Sequence, residues 1–380
     1  MSDPNLQPVH DISTTPPEAG IALCLSGGGY RAMVFHAGCL WRLNELGLLG
    51  ALQRISSVSG GSITSGVLGM HWNALNIVAG SPSASFVPLV IGDIRKMASI
   101  TIDAGAIFGG IFLPGSISDH VSDRYQDILF GSKTLQDLPD NPRFVINATN
   151  VQSGVLMRFS KPYMRDYRVG QILNPVLPIA RAVAASSAFP PVLSPCEIKV
   201  SDYGMHFEPA APGEDLNSAP YTTDLVLSDG GVYDNLGLET AWKRYDTILV
   251  SDGGGHYGAE KDPAHDWARH SYRVLNLIDS QVRALRTRQV IALFKAQERK
   301  GCFWGIRQPV TTYSAGNVLP CPEVRTAELA ATPTRLASMD DELQERLINW
   351  GYAICDASLR SYYRPDLPPP TAFPYPATGV

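Results

Sequence analysis

LCLSGGGYRAM, residues 23 to 33, is the stretch on which the reading of this chain turns. An apolar run ends in Gly27, Gly28 and Gly29, followed by an aromatic residue and an arginine. Glycine inside regular structure costs about 0.5–1 kcal/mol relative to alanine. Three in a row at a strand-to-helix junction therefore need an offsetting purpose. Backbone N–H groups at a helix start point outward and favour negative charge. The turn suits a phosphate or a developing oxyanion.

The nucleotide reading fails on detail. A P-loop needs a lysine after its last glycine, and GGGYRA has none. Gly27, Gly29 and Ala32 do fit the looser dinucleotide pattern. That pattern wants an acidic residue about 20 positions on, where this chain reads ALQRISSVSG. The oxyanion reading is preferred.

Working outward, Ile21 to Leu25 reads as a short buried strand. Tyr30 to Leu46 carries helical spacing through Val34, Leu40, Leu43 and Leu46, and Gly47 ends it. Arg54 to Val58, Phe144 to Thr149, Asp224 to Leu227 and Thr247 to Val250 are further strands. Ser271 to Ala296 reads as a long helix with an apolar stripe at Leu275, Ile278, Val282 and Leu285. Ser338 to Ser358 is another, with Leu343, Leu347, Trp350 and Ile354 on one face. Strands alternating with helices predict a three-layer α/β fold, a mostly parallel central sheet with helices on both faces. Chemistry in such sheets collects at the carboxyl ends of the strands.

Two more strand ends bear on the glycine turn. In ISSVSGGSITSG, Ser59 follows Val58 and precedes Gly60 and Gly61, a serine elbow with Ser57 where the usual motif has its first glycine. Ser56, Ser57 and Ser62 compete, but only Ser59 has the residue order of the tip of the turn. A serine–glycine run is also commonly just a turn. In DLVLSDGG, Asp229 ends an apolar strand, where its carboxylate could take the Ser59 proton or merely cap its own turn. Asp252, in ILVSDGGG, has nearly the same context and is the main rival, and Asp234 is a third acid nearby.

Composition bounds the rest. With 380 residues, 44% hydrophobic and 18% charged, the chain is globular. A net charge of −5 argues against nucleic-acid binding. The six cysteines form no CxxC pair and no metal-spaced cluster, so neither a metal nor a cofactor is expected. The start of the chain lacks the charged and apolar regions of a secretory signal, and no stretch approaches the roughly 18 apolar residues of a membrane span. The expected location is cytoplasmic, with peripheral membrane contact left open. Residues 1–19 read as a flexible arm, 20–364 as one catalytic domain and 365–380 as a proline-rich extended tail. The segment AGAIFGGIFLPG at 104–115 reads as either a mobile flap over the site or a buried part of the core.

Taken together, GGGYR at 27–31, SVSGG at 57–61, DGG at 229–231 and ARAVAASSAFPPVLSP at 180–195 resemble the patatin-like phospholipases. The resemblance covers roughly residues 21–255. Two departures stand out: Ala32 where the family loop usually has glycine, and Ser57 at the start of the elbow. The loop is also similar to that of the cytosolic phospholipase branch of the superfamily. The resemblance implies lipid acyl-ester hydrolysis through a Ser59–Asp229 dyad and an acyl-enzyme. It implies an oxyanion hole drawn from Gly27, Gly28, Gly29 and Gly60, and a substrate-binding role for Arg31, whose other reading is an ordinary surface or ion-pair arginine. A carboxylate working as a base near neutrality should be partly desolvated. Two alternatives remain: a Ser–Asp–His esterase using His256, His265 or His270, and a non-catalytic lipid- or anion-binding module.

Overall fold

The structure, a computed structural model, describes residues 16–102, 116–211, 214–255 and 258–380. The segment 104–115, the start of the expected arm and His256 lie outside them. The opening run forms strand β1 (Glu18–Leu25) and, after the three glycines, helix α1 (Gly29–Glu45). Then follow β2 (Leu52–Val58), α2 (Gly60–Leu75), α3 (Gly92–Ala98) and α4 (Ile117–Tyr125). Strands β3 (Arg143–Asn150), β4 (Val155–Phe159), β5 (Tyr163–Asp166) and β6 (Gly170–Leu173) make a meander. After α5 (Ile179–Ser186) come β7 (Cys196–Lys199), β8 (Asp224–Asp229) and β9 (Tyr245–Asp252). The chain closes with α6 (Trp267–Lys295), β10 (Lys300–Gly305), α7 (Glu323–Ala330) and α8 (Asp341–Ser358).

The sheet runs β10-β9-β1-β2-β3-β4-β5-β6, with β7 and β8 branching from β3. The strands β10, β9, β1, β2 and β3 are parallel. The meander and the β7–β8 branch are antiparallel. The alternation of β1 divides the molecule into layers. Leu23 and Leu25 enter a large core with α1, α2 and α8, whereas Ala22 and Cys24 enter a second core with Ile248, Val250, Val290 and Phe303. Side chains two apart share a face and neighbours oppose, so this split means helices cover both faces. The α/β class expected from the sequence is what the structure shows.

Helix α1 is buried along nearly its whole length because α8 packs across it. A Cβ at Gly38 would lie 1.9 Å from the Ile348 carbonyl oxygen, and one at Gly351 would lie 2.0 Å from that of Phe35. The two backbones therefore touch at glycines. Leu347, Trp350 and Ile354 of the expected α8 stripe are fully buried. The expected stripe of α6 is different. Ile278 is 55% and Leu285 59% exposed, and only Arg283 and Val290 are buried on this helix.

The chain ends also differ in detail from the sequence reading. Glu18 pairs with Tyr245, so residues 18 and 19 belong to the sheet rather than to an arm. Residues 365–380 carry no helix or strand, yet they pack on the body. Leu367 and Val380 are buried, and Asn349 Nδ2 donates to the carbonyls of Tyr375 and Gly379 at 2.8 and 2.7 Å.

Candidate active site

Ser59 occupies the turn between β2 and α2 at φ 51° and ψ −119°. L-residues avoid this region, and holding one there costs on the order of 1–3 kcal/mol. Surrounding contacts hold it. The Ser59 N–H donates to Ser186 Oγ at 2.9 Å, and the Ser59 carbonyl accepts from Ser62 N and Ile63 N at 2.8 and 3.1 Å. Gly60 is required by close approach: a Cβ there would lie 2.2 Å from the Gly29 carbonyl oxygen. The glycine turn and the serine turn thus pack backbone to backbone. Ser57, the departure from the expected elbow, is buried and satisfied, accepting from Ser62 Oγ at 3.1 Å and donating to the Val145 carbonyl at 3.4 Å.

Strand register explains why Asp229 arrives at Ser59. Strand β2 pairs with β3 as far as Val58 opposite Asn147. Strand β8 pairs with β3 from Ala148, opposite Asp229, to Asn150. Strand β4 holds the other edge of those same residues, so β8 must occupy the β2 edge. The two strands therefore lie end to end along β3, running towards each other, and their last turns meet. The Asp229 N–H donates to the Ala188 carbonyl at 2.9 Å, and Thr149 Oγ1 donates to the Asp229 carbonyl at 2.8 Å.

The Asp229 carboxylate is buried, accepts a hydrogen bond from the Gly231 N–H at 2.7 Å and lies beside the Ser59 side chain. Burial, opposed by the Gly231 N–H and the Ser59 hydroxyl and reinforced by the charge of Asp279, pushes its pKa up to about 7. The rival acids are engaged elsewhere. Asp252 accepts from Gly254 N at 2.8 Å and faces Arg283 Nη1 at 3.8 Å. Asp234 accepts from Leu236 N and Glu239 N and faces Arg286 Nε at 3.6 Å. His265 is exposed beside Asp262, and His270 Nδ1 meets the Ala264 carbonyl at 3.2 Å. Neither histidine is hydrogen-bonded to Ser59 or Asp229.

The glycines divide by their hydrogen bonds. The Gly27 N–H donates to both the backbone oxygen and Oδ1 of Asn235, at 3.0 and 3.1 Å, so it is engaged within the fold. No described residue accepts from the N–H groups of Gly28, Gly29 or Gly60. Arg31 is buried, which sets aside its second reading as a helix-surface arginine. Its Nε donates to the Gly253 carbonyl at 3.2 Å, its Nη2 to Thr334 Oγ1 at 2.8 Å and its Nη1 to the Thr332 carbonyl. Burial first, then Arg283, lowers its pKa to about 10. Arg31 ties α1 to two loops and is not among the residues lining the cavity.

That cavity, of about 1000 Å³, opens over Gly28, Gly29, Ser59 and Asp229. Phe189, Pro190, Val192 and Leu193 form an apolar wall, and α6 presents Asn276, Asp279 and Arg283 opposite. Three of these contributors were not singled out from sequence. Ser186 positions the Ser59 backbone, Asn235 holds the glycine turn, and Asp279 faces the cavity. Arg283, which the sequence offers with Arg286 and Arg288 as either a headgroup contact or a solvated polar face, is buried and lines the cavity. Among the described residues, no group of three or more His, Cys, Asp or Glu is placed to hold a metal ion, and no helix is long and apolar enough to cross a membrane.

Comparison with known proteins agrees with this geometry at the level of the family. The model of the patatin-like phospholipases matches residues 23–242. No curated protein matches the chain. Among solved structures, the human GIVD cytosolic phospholipase A2 superposes with a TM-score of 0.51 at 14% identity, covering 88% of this chain and 58% of that one. VipD from Legionella pneumophila has a TM-score of 0.35 at 16% identity, covering 90% and 66%. The chain thus spans little more than half the length of the human structure. The α/β sheet gathers a serine turn, a glycine turn and an aspartate at neighbouring strand ends, and the match over more than half the chain shows the family. The protein belongs to the patatin-like phospholipases, a membership that supports lipid hydrolysis in general.

Proposed function

We propose that the protein hydrolyses carboxylic esters of phospholipids or related glycerolipids through a Ser59–Asp229 dyad. The observation that carries this reading is the placement of Ser59 beside a buried Asp229 at the meeting point of β2 and β8, both opening on one cavity. Asp229 takes the hydroxyl proton as Ser59 Oγ attacks the ester carbonyl carbon. The carbonyl oxygen, now negative, is held by N–H groups of Gly28, Gly29 and Gly60, and losing one such donor costs roughly 3 kcal/mol in the barrier. Collapse expels the alcohol, which receives the proton from Asp229, and leaves an acyl-Ser59 ester. Asp229 then takes a proton from water, the resulting hydroxide attacks the acyl carbon, and Ser59 recovers its proton as the fatty acid leaves. A pKa near 7 suits this shuttle, because base and conjugate acid are both accessible near neutrality.

The cavity supports a lipid. Its apolar wall suits an acyl chain, and its polar wall suits a headgroup. The test is hydrolysis of phospholipid vesicles and of a soluble short-chain ester. Ser59→Ala should lower kcat/KM about 10⁴-fold or more, and His256→Ala should retain activity. Loss at His256 equal to that at Ser59 would support a triad instead. A wild-type chain inert on both substrates would support a binding module.

A further inference from the structure

Behind the cavity lies a second pocket of about 300 Å³, lined by Arg283, Arg288, Thr287 and Arg307 together with Asp252 and Gln308. Its charge is unbalanced. Arg31, Arg283, Arg288 and Arg307 converge on this region, and the carboxylates facing them are Asp252 and Asp279. In a chain of net charge −5, this is a local excess of cations. Arg283 is buried. Its Nη2 donates to the Gly255 carbonyl at 2.6 Å and its Nη1 faces Asp252 at 3.8 Å, but its Nε has no partner among the described residues. Exposed Arg307 makes no hydrogen bond or ion pair with a described residue. Arg288 donates only to the Ala284 carbonyl, at 3.1 Å. Burial and then the nearby Arg283 charge lower the pKa of Arg307, as expected of crowded like charges.

Arginines whose donors converge on a concave site without enough carboxylates are built for an oxyanion with several acceptor oxygens. We infer that this pocket binds a phosphate group, either free or as the headgroup of an anionic lipid, with Arg283, Arg288 and Arg307 as its ligands. Arg283 lines both this pocket and the ester-hydrolysis cavity, so an occupied phosphate site leans directly on the cavity wall. The inference rests on the pocket alone and does not depend on Ser59 or Asp229.

The test uses the full chain with two probes: inorganic phosphate by titration calorimetry, and co-sedimentation with phosphatidylcholine vesicles with and without phosphatidate. Arg288 and Arg307 are exposed, so the Arg288→Ala/Arg307→Ala double variant should keep its fold, checked by its melting curve. Saturable phosphate binding, weakened at least about tenfold in the variant, supports the site. Sedimentation that depends on phosphatidate and is lost in the variant also supports it and identifies a lipid headgroup as the source. The site is overturned if neither probe binds wild type, or if both bind the folded variant as well as wild type.

Discussion

Two Asp-Gly-Gly turns, at 229–231 and 252–254, are close to identical as sequence, and the fold gives them opposite work. Each ends an apolar strand after a serine. Each aspartate caps its own turn by accepting the N–H two residues on, at 2.7 Å for Asp229 and 2.8 Å for Asp252. The difference lies in what the strands meet. Strand β8 meets β2 end to end, so Asp229 lies beside the Ser59 hydroxyl and, among the described residues, is paired with no cation. Strand β9 lies between β1 and β10, so Asp252 faces Arg283. A carboxylate buried without a cation is pushed towards a neutral pKa and can exchange protons. One with a guanidinium partner serves as a counterion. Local motif supplies the turn, and strand order supplies the chemistry.

Exchanging the two carboxylates for amides is the strongest way to break this contrast. Asp229→Asn should lower kcat/KM about 10³–10⁴-fold with the fold intact. Asp252→Asn should change it by less than about tenfold, while costing about 2 kcal/mol in urea unfolding, because Arg283 loses a carboxylate in a buried setting. Equal activity losses would dissolve the distinction.

Stability against pH sharpens it further. The folded pKa of Asp229 is raised, to about 7, above the ordinary carboxylate value. Its contribution to stability is therefore fully present below about pH 4 and is lost as pH rises through 7. Asp229→Asn should gain stability over wild type between pH 4 and pH 8, by at most about 4 kcal/mol. A difference that stays constant with pH would mean that Asp229 titrates normally. The same group sets the rate: kcat/KM should rise with pH to a plateau above about 7.

The smallest expected effect concerns Asp279, whose charge helps to hold the Asp229 pKa up. Asp279→Asn should move that rate limb to lower pH by less than about one unit. A limb that does not move would leave burial alone as the cause.

The long helices show where the sequence was informative and where it was not. Apolar periodicity located both α6 and α8. For α8 the stripe is core, because α1 covers it. For α6 much of the stripe faces solvent, and the helix instead turns Asn276, Asp279 and Arg283 towards the cavity. Periodicity identifies an apolar face but not what covers it. The strand ends carrying Ser59 and Asp229 were legible because turn chemistry is local. Their meeting was expected only through the family resemblance, since it depends on β8 joining the β2 edge of β3 in reverse. Arg31 was legible as a charge beside a glycine turn, but its acceptors at Gly253, Thr332 and Thr334 lie more than 200 residues away. Gly27 looked equivalent to its neighbours until Asn235 engaged its N–H.

Covalent labelling with a fluorophosphonate tests the central claim, a serine activated by Asp229, most directly. Peptide mapping by mass spectrometry should place the adduct on Ser59 in wild type at pH 8, with labelling slowed at least about 10²-fold in Asp229→Asn. An adduct on another serine, or labelling of Ser59 at the same rate in Asp229→Asn, would contradict it.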